Sequence, residues 1–323
     1  MQQKIKQSLP LFILLSLVAT GKEPTHYGWN LANTPLNIGG YLDLTYNEEN
    51  QNQLIFDDLA LLLSANEAKW NLLGEIELSH LPLEEEQLET YDMRLNLERF
   101  QLSYLLNDSS SIIVGRFNSD IGYYNQAPVK FIQSTTTYPH MVEYLFPRST
   151  TGIQYINHFP NDATLSFTLQ NNPDIGEADE SIQSDQHFAI SLFYPYDLIS
   201  WRMAGGIYQE HNIQENRYYF GVGSEYDGEL VNIQAELFTQ KRSNSASQPY
   251  SGYIQSTWHL HEKHDATLRV EGYQDPLQRH IQEQTLLIGY SYRPTGHLTI
   301  KGEYLYHTKL PLSRFISSFS VMF

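Results

Sequence analysis

The stretch Ser111-Ile-Ile-Val-Gly-Arg-Phe117 alternates apolar and polar residues like a short strand, and residues 118–149 after it show no sustained alternation. On both sides of this interruption the chain repeats a unit of about ten alternating residues, closed by a break rich in Pro, Gly, Asn or Asp. A period of two indicates strands with one apolar and one polar face. The chain is therefore predicted to be all-β, with one long irregular loop.

Counting these units gives about 16 strands. Breaks after even strands are about three to six residues long, whereas those after odd strands are mostly longer. Short turns on one rim and longer loops on the other are typical of an antiparallel transmembrane β-barrel. Strands of about nine to eleven residues suit a tilted crossing of the hydrocarbon layer. Since lipid cannot satisfy an open sheet edge, the array is predicted to close, with the long loop after strand 5.

A soluble β-sandwich or a propeller would also show alternating strands. Charged residues in the middle of strands, opposite Leu and Ile, argue against it, because a barrel can direct them into water. These residues are Glu75, Arg202, Glu236, Arg269 and Lys301.

The first residues have the features of a secretory signal peptide. Lys4 and Lys6 precede a short apolar run, Leu9 to Val18, and the small residues Ala19 and Gly21 follow it. This pattern predicts a signal peptide over 1–21, an N-terminal segment over 22–36 and the barrel over 37–323.

Composition narrows the function. A net charge of -17 argues against nucleic acid as a partner, because no basic surface is available to neutralise phosphates. The absence of cysteine excludes disulfides and thiolate chemistry. Since no Gly-x-Ser-x-Gly motif occurs, the chain is predicted not to be an enzyme and to need no cofactor, although an outer-membrane hydrolase remains an alternative.

Two groups of residues could hold a metal ion. His259, His261 and His264 straddle a short turn, and a polar turn is the favoured interpretation. Acidic loops at 84–89 and 174–185 could bind divalent cations, but neither has the spacing of a dedicated calcium site, so a solvated charged surface is favoured. No metal site is predicted.

Two motifs resemble known outer-membrane proteins. The last strand carries large apolar residues at two-residue steps and resembles the terminal strand by which outer-membrane barrels are recognised for assembly; the residues are Phe315, Phe319, Val321 and Phe323. The run Val114-Gly-Arg-Phe117, with Ile121-Gly-Tyr-Tyr-Asn125 after it, resembles the Gram-negative porin-like family that includes the phosphate-selective porins O and P. Asp120-Ile121-Gly122 stands where that family has Pro-Phe-Gly. The lysine-rich pore lining of the family is also missing from this chain, so phosphate selectivity is not predicted for it.

The resemblance implies a porin of the outer membrane that passes small hydrophilic solutes or ions by passive diffusion. It implies outer-membrane lipid and lipopolysaccharide, the barrel assembly machinery and a homotrimer as partners. In general porins the loop after the fifth strand narrows the lumen, and here the longest loop occupies that place. The predicted constriction sets loop charges against wall arginines: Asp120, Lys130, Glu143 and Arg148 against Arg99, Arg116, Arg202 and Arg269. The alternatives are a loop that caps the barrel outside, or one that fills it and leaves a non-conducting barrel with a surface-binding or structural role.

Overall fold

The computed structural model describes residues 28–31, 34–48, 53–81, 94–127, 129–175, 182–211, 215–243, 248–274 and 282–323. The predicted signal peptide, 1–21, and the acidic loop at 84–89 lie outside the described residues.

The chain forms a ring of 16 antiparallel strands, which confirms the predicted barrel. The strands are β1 (Leu36–Asn47), β2 (Gln53–Glu67), β3 (Trp70–Leu81), β4 (Arg94–Asn107), β5 (Ser110–Asn118), β6 (Ser149–His158), β7 (Thr164–Gln170), β8 (Ser184–Tyr196), β9 (Ile199–Glu210), β10 (Asn216–Asp227), β11 (Val231–Arg242), β12 (Tyr250–His261), β13 (His264–Gln274), β14 (Gln282–Thr295), β15 (Leu298–His307) and β16 (Arg314–Met322).

Each strand pairs with its sequence neighbours, and β16 closes the ring on β1. The closing seam continues past the last strand residue, because Phe323 and Gly40 exchange backbone hydrogen bonds of 2.9 and 2.8 Å. A two-residue strand, Trp29–Asn30, pairs with Asn37 and Ile38 and extends this seam. This extra strand could not be predicted from the sequence, since two residues are too few to show a period.

The connections fall into the two predicted classes. Those after even strands are short, as between Asn107 and Ser110, and they define the short-turn rim. Those after odd strands are mostly longer and define the long-loop rim, and the longest, residues 119–148, follows β5.

The alternation along each strand separates an outer apolar surface from a polar lumen. On β13, Arg269 is 2% exposed while the next residue, Val270, is 53% exposed. The outer surface therefore consists of large apolar and aromatic side chains, as lipid requires, and the charged mid-strand residues point inward.

Two β-bulges place additional carboxylates in the lumen. Asp43 pairs with Asp58 and Leu44 pairs with Phe56, so Asp57 is an extra residue in β2. In β4 the register shifts in the same way and leaves Glu98 extra. Because a bulge puts two residues opposite one, Asp57 and Asp58 both reach the lumen and the outward alternation continues beyond them.

Loop 119–148 lies inside the ring, where it hydrogen bonds with inward residues of several strands. It contains a 3-10 turn, Tyr124–Gln126, and a short helix, α1 (His140–Tyr144). One apolar cluster packs α1 against the wall, with Met141, Leu145, Phe146, Tyr208 and Phe238 among its members. A second packs Val129 and Phe131 against Tyr41 and Ala60. The loop therefore contacts both sides of the lumen. Among the described residues, no helix has the length and apolar character needed to span a membrane.

Candidate functional site: the loop and its contacts across the lumen

Three wall glutamates on alternate strands hold the loop backbone. Glu236 on β11 accepts the N–H groups of Tyr123 and Tyr124 at 2.8 and 3.4 Å. Glu303 on β15 accepts those of Thr136 and Thr137 at 2.8 and 3.0 Å. Glu271 on β13 accepts the N–H of His140 at 2.6 Å. A carboxylate only accepts, so each glutamate satisfies backbone donors that the irregular loop cannot pair internally.

Wall bases hold the loop carbonyls in the same region. Arg269 Nη1 donates to the Thr137 carbonyl at 3.0 Å, and Arg293 Nη2 donates to that of Gln133 at 3.2 Å. Lys301 Nζ donates to the Thr135 carbonyl at 3.2 Å. Wall carboxylates thus accept hydrogen bonds from loop N–H groups, and wall arginines and lysine donate hydrogen bonds to loop carbonyls.

Gly122 allows the loop to approach Glu236 closely. Its φ is +71°, and a Cβ placed there would lie 2.9 Å from Glu236 Oε1. Only glycine adopts this conformation readily and leaves that space empty. The Gly-Tyr-Tyr motif therefore has a local structural role beside the carboxylate.

Asp120 and Arg202, both among the predicted constriction residues, form an ion pair. Ser166 and Ser191 donate to the same carboxylate at 2.6 and 2.7 Å. Burial raises the pKa of Asp120, but the Arg202 guanidinium and the two serine hydroxyls outweigh burial and hold that pKa below its ordinary value. Asp120 is consequently charged at neutral pH.

Lys130 contacts carboxylates rather than arginines. Its ammonium group pairs with Asp57 and lies 3.4 Å from Asp58 Oδ2. Both acids reach it because of the bulge in β2. The ion pair therefore ties the loop to the wall opposite the α1 cluster.

The remaining predicted constriction residues have several different partners. Arg99 pairs with Glu75 on β3, and Arg116 pairs with Asp174 of the loop after β7. Arg148 lies over the Tyr138 ring at 4.5 Å, and Glu143 lines a cavity on the long-loop side. We predicted that acids of the long loop face arginines of the wall. Among the described residues, Asp120 and Arg202 form such a pair, whereas Arg99 and Arg116 pair with acids outside the long loop.

Two cavities lie on opposite sides of the loop. The outer cavity, about 400 Å³, opens toward the long-loop rim and is lined by residues such as Thr136, Tyr138 and His307. The inner cavity, about 260 Å³, lies toward the short-turn rim and is lined by residues such as Gln133, Ser134 and Asp265.

Thr135 lies between the loop residues that line the two cavities and is 1% exposed. Its hydroxyl contacts Tyr124 Oη and lies 3.3 Å from Arg269 Nη1. Burial raises the pKa of Tyr124 to about 12, so its phenol is neutral at physiological pH. We name Tyr124, Thr135, Arg269 and Lys301 the central layer.

The histidines considered as metal ligands occupy a turn at the short-turn rim. His259 Nδ1 lies 2.8 Å from Asp265 Oδ1, and the rings of His261 and His264 are 6.0 Å apart. Within the described part of the chain, no group of three or more His, Cys, Asp or Glu residues could hold a metal ion.

Sequence reasoning missed the residues that hold the loop. The sequence marks Glu236 as a charged residue in the middle of a strand, but only the contacts of Glu236 and Glu303 reveal that these carboxylates accept loop N–H groups. A usable signal was present, since carboxylates in mid-strand on a polar face need donors from some other element.

Comparison with known proteins places the fold. No family model matches the chain, and no curated protein matches it in sequence. Among solved structures, Salmonella typhi OmpF, solved in complex with daunomycin, aligns with a TM-score of 0.67 at 12% identity, over 90% of this chain and 98% of that one. The anion-selective porin of Comamonas acidovorans aligns at 0.64 and 10% identity, covering 90% and 100%. The outer-membrane channel DcaP of Acinetobacter baumannii aligns at 0.62 and 12% identity, covering 92% and 100%. The chain therefore has the porin-like barrel fold.

Proposed function

We propose that this barrel is an outer-membrane porin through which small hydrophilic solutes or ions diffuse passively, with loop 119–148 as the constriction. In this proposal the passage involves no chemical step and no cofactor. The pairs Asp120–Arg202 and Lys130–Asp57 and the residues Arg269 and Lys301 set the charge at the narrow zone.

The observation that carries the proposal is the pair of polar cavities on opposite sides of one loop. Gln133 and Ser134 line the inner cavity, and Thr136 and Thr137 line the outer one, so a single residue of the loop separates them. In this proposal, displacement of the central layer joins the two cavities into one passage.

The apolar outer surface supports insertion in lipid, and the likeness to outer-membrane channels supports the outer membrane as the location. Export through a signal peptide cleaved after about residue 21 and assembly through the terminal Phe323 belong to the same proposal. Trimeric assembly is also proposed, and one similar structure, Vibrio cholerae OmpT, is described as a trimer form.

Planar-bilayer recording of the refolded chain tests the proposal. We expect discrete conductance steps from the wild type, and larger steps when Arg269→Ala and Thr135→Gly thin the central layer. Glu262→Gln, at an exposed turn on the short-turn rim, is the matched control and should conduct like the wild type. Refolded protein that shows the heat-modifiable gel shift of a barrel but no steps would contradict the porin proposal.

A non-conducting barrel with a surface-binding or structural role is the second candidate. It is favoured by burial in the central layer, where Thr135 is 1% exposed and Arg269 is 2% exposed. Silent wild-type protein together with conducting Arg269→Ala would support this candidate, because the layer would then be a plug.

A further inference from the structure

The outer face of the barrel becomes polar toward the long-loop rim over β5 and β6. One row of residues that pair in register across β4 to β7 faces outward, since each is 41–56% exposed: Leu102, Val114, Ile153 and Leu169. Two residues closer to the long-loop rim, Arg116 pairs in register with Thr151. Side chains alternate along a strand, so Arg116 and Thr151 belong to the same outward face. Thr150 belongs to the inward face, because its hydroxyl lies 2.9 Å from Ser119 Oγ of the lumen loop.

The loop after β7 folds over these two outward residues. Arg116 forms an ion pair with Asp174 of that loop, and each side chain is 3% exposed. The Thr151 hydroxyl donates to the same carboxylate, and the N–H of Ile175 donates to Thr151 Oγ1 at 3.3 Å. Ile175 itself is 55% exposed. An ion pair therefore lies on the outer side of the wall, where lipid would require apolar side chains.

Polar side chains also occupy the opposite end of this face. Ser110 Oγ donates to Asn157 Oδ1 at 2.9 Å, and the two residues pair in register at the short-turn end of β5 and β6. Between Ser110 and Arg116, the outward positions of β5 are Ile112 and Val114. β6 has the corresponding residues Ile153 and Tyr155, whereas β8 has Phe188, Ile190, Leu192, Tyr194 and Tyr196. The apolar band is therefore much lower over β5 and β6 than over β8.

This low band does not match the thickness of a bilayer. At a rise of about 3.4 Å per residue, Ser110 and Arg116 are about 20 Å apart along β5, which corresponds to about 16 Å along the membrane normal for a strand tilted by about 40°. The apolar band of an outer-membrane barrel is about 25 Å tall. Lipid against β5 and β6 would therefore contact polar groups at both ends of the strands.

We propose that the outer face of β4 to β7, together with Asp174 and Ile175, is the surface through which this chain binds a second copy of itself in the membrane. We call this surface the contact face. The proposal rests on the proposed function in one respect, since it assigns a location to the trimeric assembly proposed there.

The size of the contact face is compatible with a stable interface. Four strands spaced about 4.8 Å apart and about 30 Å long cover roughly 600 Å², so a fully covered pair of faces buries roughly 1,200 Å², the lower limit for specific interfaces. A second copy also solves the mismatch with lipid. In a ring of copies around one axis, every contact face is directed at the axis, and taller walls such as β8 remain to meet lipid.

Single-cysteine variants measure which parts of the wall lipid reaches, because the chain contains no cysteine of its own. Val114→Cys and Ile153→Cys report on the contact face. Ile254→Cys on β12 and Ile288→Cys on β14, where the native residues are 60% and 57% exposed, are the matched controls. Each refolded variant carries a small bimane fluorophore in vesicles of phosphatidylcholine with brominated acyl chains, which quench it. We expect quenching at the contact face to be weaker by about twofold or more, because protein replaces lipid around the label.

The oligomeric state is measured without a label, so it remains decisive if labelling disturbs the contact. Light scattering of the unlabelled wild type in mild detergent should give the mass of an oligomer. Val114→Lys should dissociate this oligomer into monomers, whereas Ile288→Lys, an equal change on the lipid-facing wall, should leave it intact. The heat-modifiable gel shift shows that each variant has folded.

A monomeric wild type, quenching at Val114→Cys and Ile153→Cys as strong as at the controls, or an oligomer that folded Val114→Lys leaves intact would each overturn the contact face. Shielded labels on a monomeric barrel would also overturn it, because the chain would then cover this face by itself. These assays need no conduction. Channel steps from a monomeric barrel contradict the contact face and the trimer but not the channel, and a shielded oligomer without channel steps contradicts the channel alone.

Discussion

The backbone N–H of Tyr123 donates to Oε1 of Glu236 at 2.8 Å, so a wall carboxylate in the middle of β11 fixes the start of the lumen loop. Glu271 and Glu303 do the same for later loop residues. Because the three glutamates lie on alternate strands, β11, β13 and β15, the loop is held at separate points along this part of the wall.

Removing one of these carboxylates should loosen the loop without opening the barrel. Glu236→Ala leaves the N–H groups of Tyr123 and Tyr124 without their acceptor, which costs about 1.5–3 kcal/mol for each hydrogen bond to a charged group. We expect Glu236→Ala to unfold at a lower urea concentration than the wild type, as measured by the heat-modifiable gel shift. We also expect its single-channel currents to be noisier. Glu229→Ala at the exposed β10–β11 turn is the control. A Glu236→Ala variant as stable and as quiet as this control would show that the loop does not depend on the carboxylate.

Lys130 should contribute more to stability than an exposed lysine. Lys130→Met leaves Asp57 and Asp58 in the lumen without the ammonium group that lies between them, and breaking a buried ion pair costs about 3–5 kcal/mol. Urea unfolding in detergent measures the loss. Lys241→Met, at an exposed position, should change stability by less than about 0.5 kcal/mol. Equal effects of the two substitutions would refute the proposed tie between loop and wall.

The Asp120–Arg202 pair should impose a defined pH dependence. The pKa of Asp120 is lowered in the folded chain, so its contribution to stability is present above the unfolded value of about 3.9 and is lost as pH falls through the lower folded value. The difference in unfolding free energy between wild type and Asp120→Asn should therefore be constant from about pH 5 to 7 and shrink below about pH 4. Urea titrations of both proteins across this range measure it. A difference that grows toward acid pH has the wrong sign for this ion pair.

Gly122 should not tolerate a side chain. Gly122→Ala puts a Cβ 2.9 Å from Glu236 Oε1 at a φ of +71°, and we expect a loss of about 1–3 kcal/mol. Gly272→Ala is the matched control, because a Cβ there meets nothing within 4 Å. Thermal or urea unfolding compares the stabilities of the two variants. Similar stabilities would mean that the loop backbone adapts at Gly122.

The strand array could be predicted from the sequence because period two is a local property of each segment. The same alternation placed Arg202, Arg269 and Lys301 on the lumen face, where they lie. Partners could not be predicted in this way. Lys130 meets Asp57, which lies 73 residues earlier in the chain, and the pairing depends on an extra residue in β2 that leaves little trace in the alternation. The N–H groups held by Glu236, Glu271 and Glu303 belong to an irregular loop, whose path depends on tertiary contacts rather than on local periodicity.

The bulge at Asp57 also bears on how such a wall can change during evolution. Because Asp57 is the extra residue of β2, its deletion would restore regular pairing from Phe56 to Asp58 while Leu54, Phe56, Leu59 and Leu61 kept their places toward lipid. A single-codon loss would thus alter the charge of the lumen and leave the membrane-facing surface intact. The bulge makes β2 tolerant of a length change that would reverse the two faces of an uninterrupted strand, and a refolded deletion variant that keeps the heat-modifiable shift would demonstrate it.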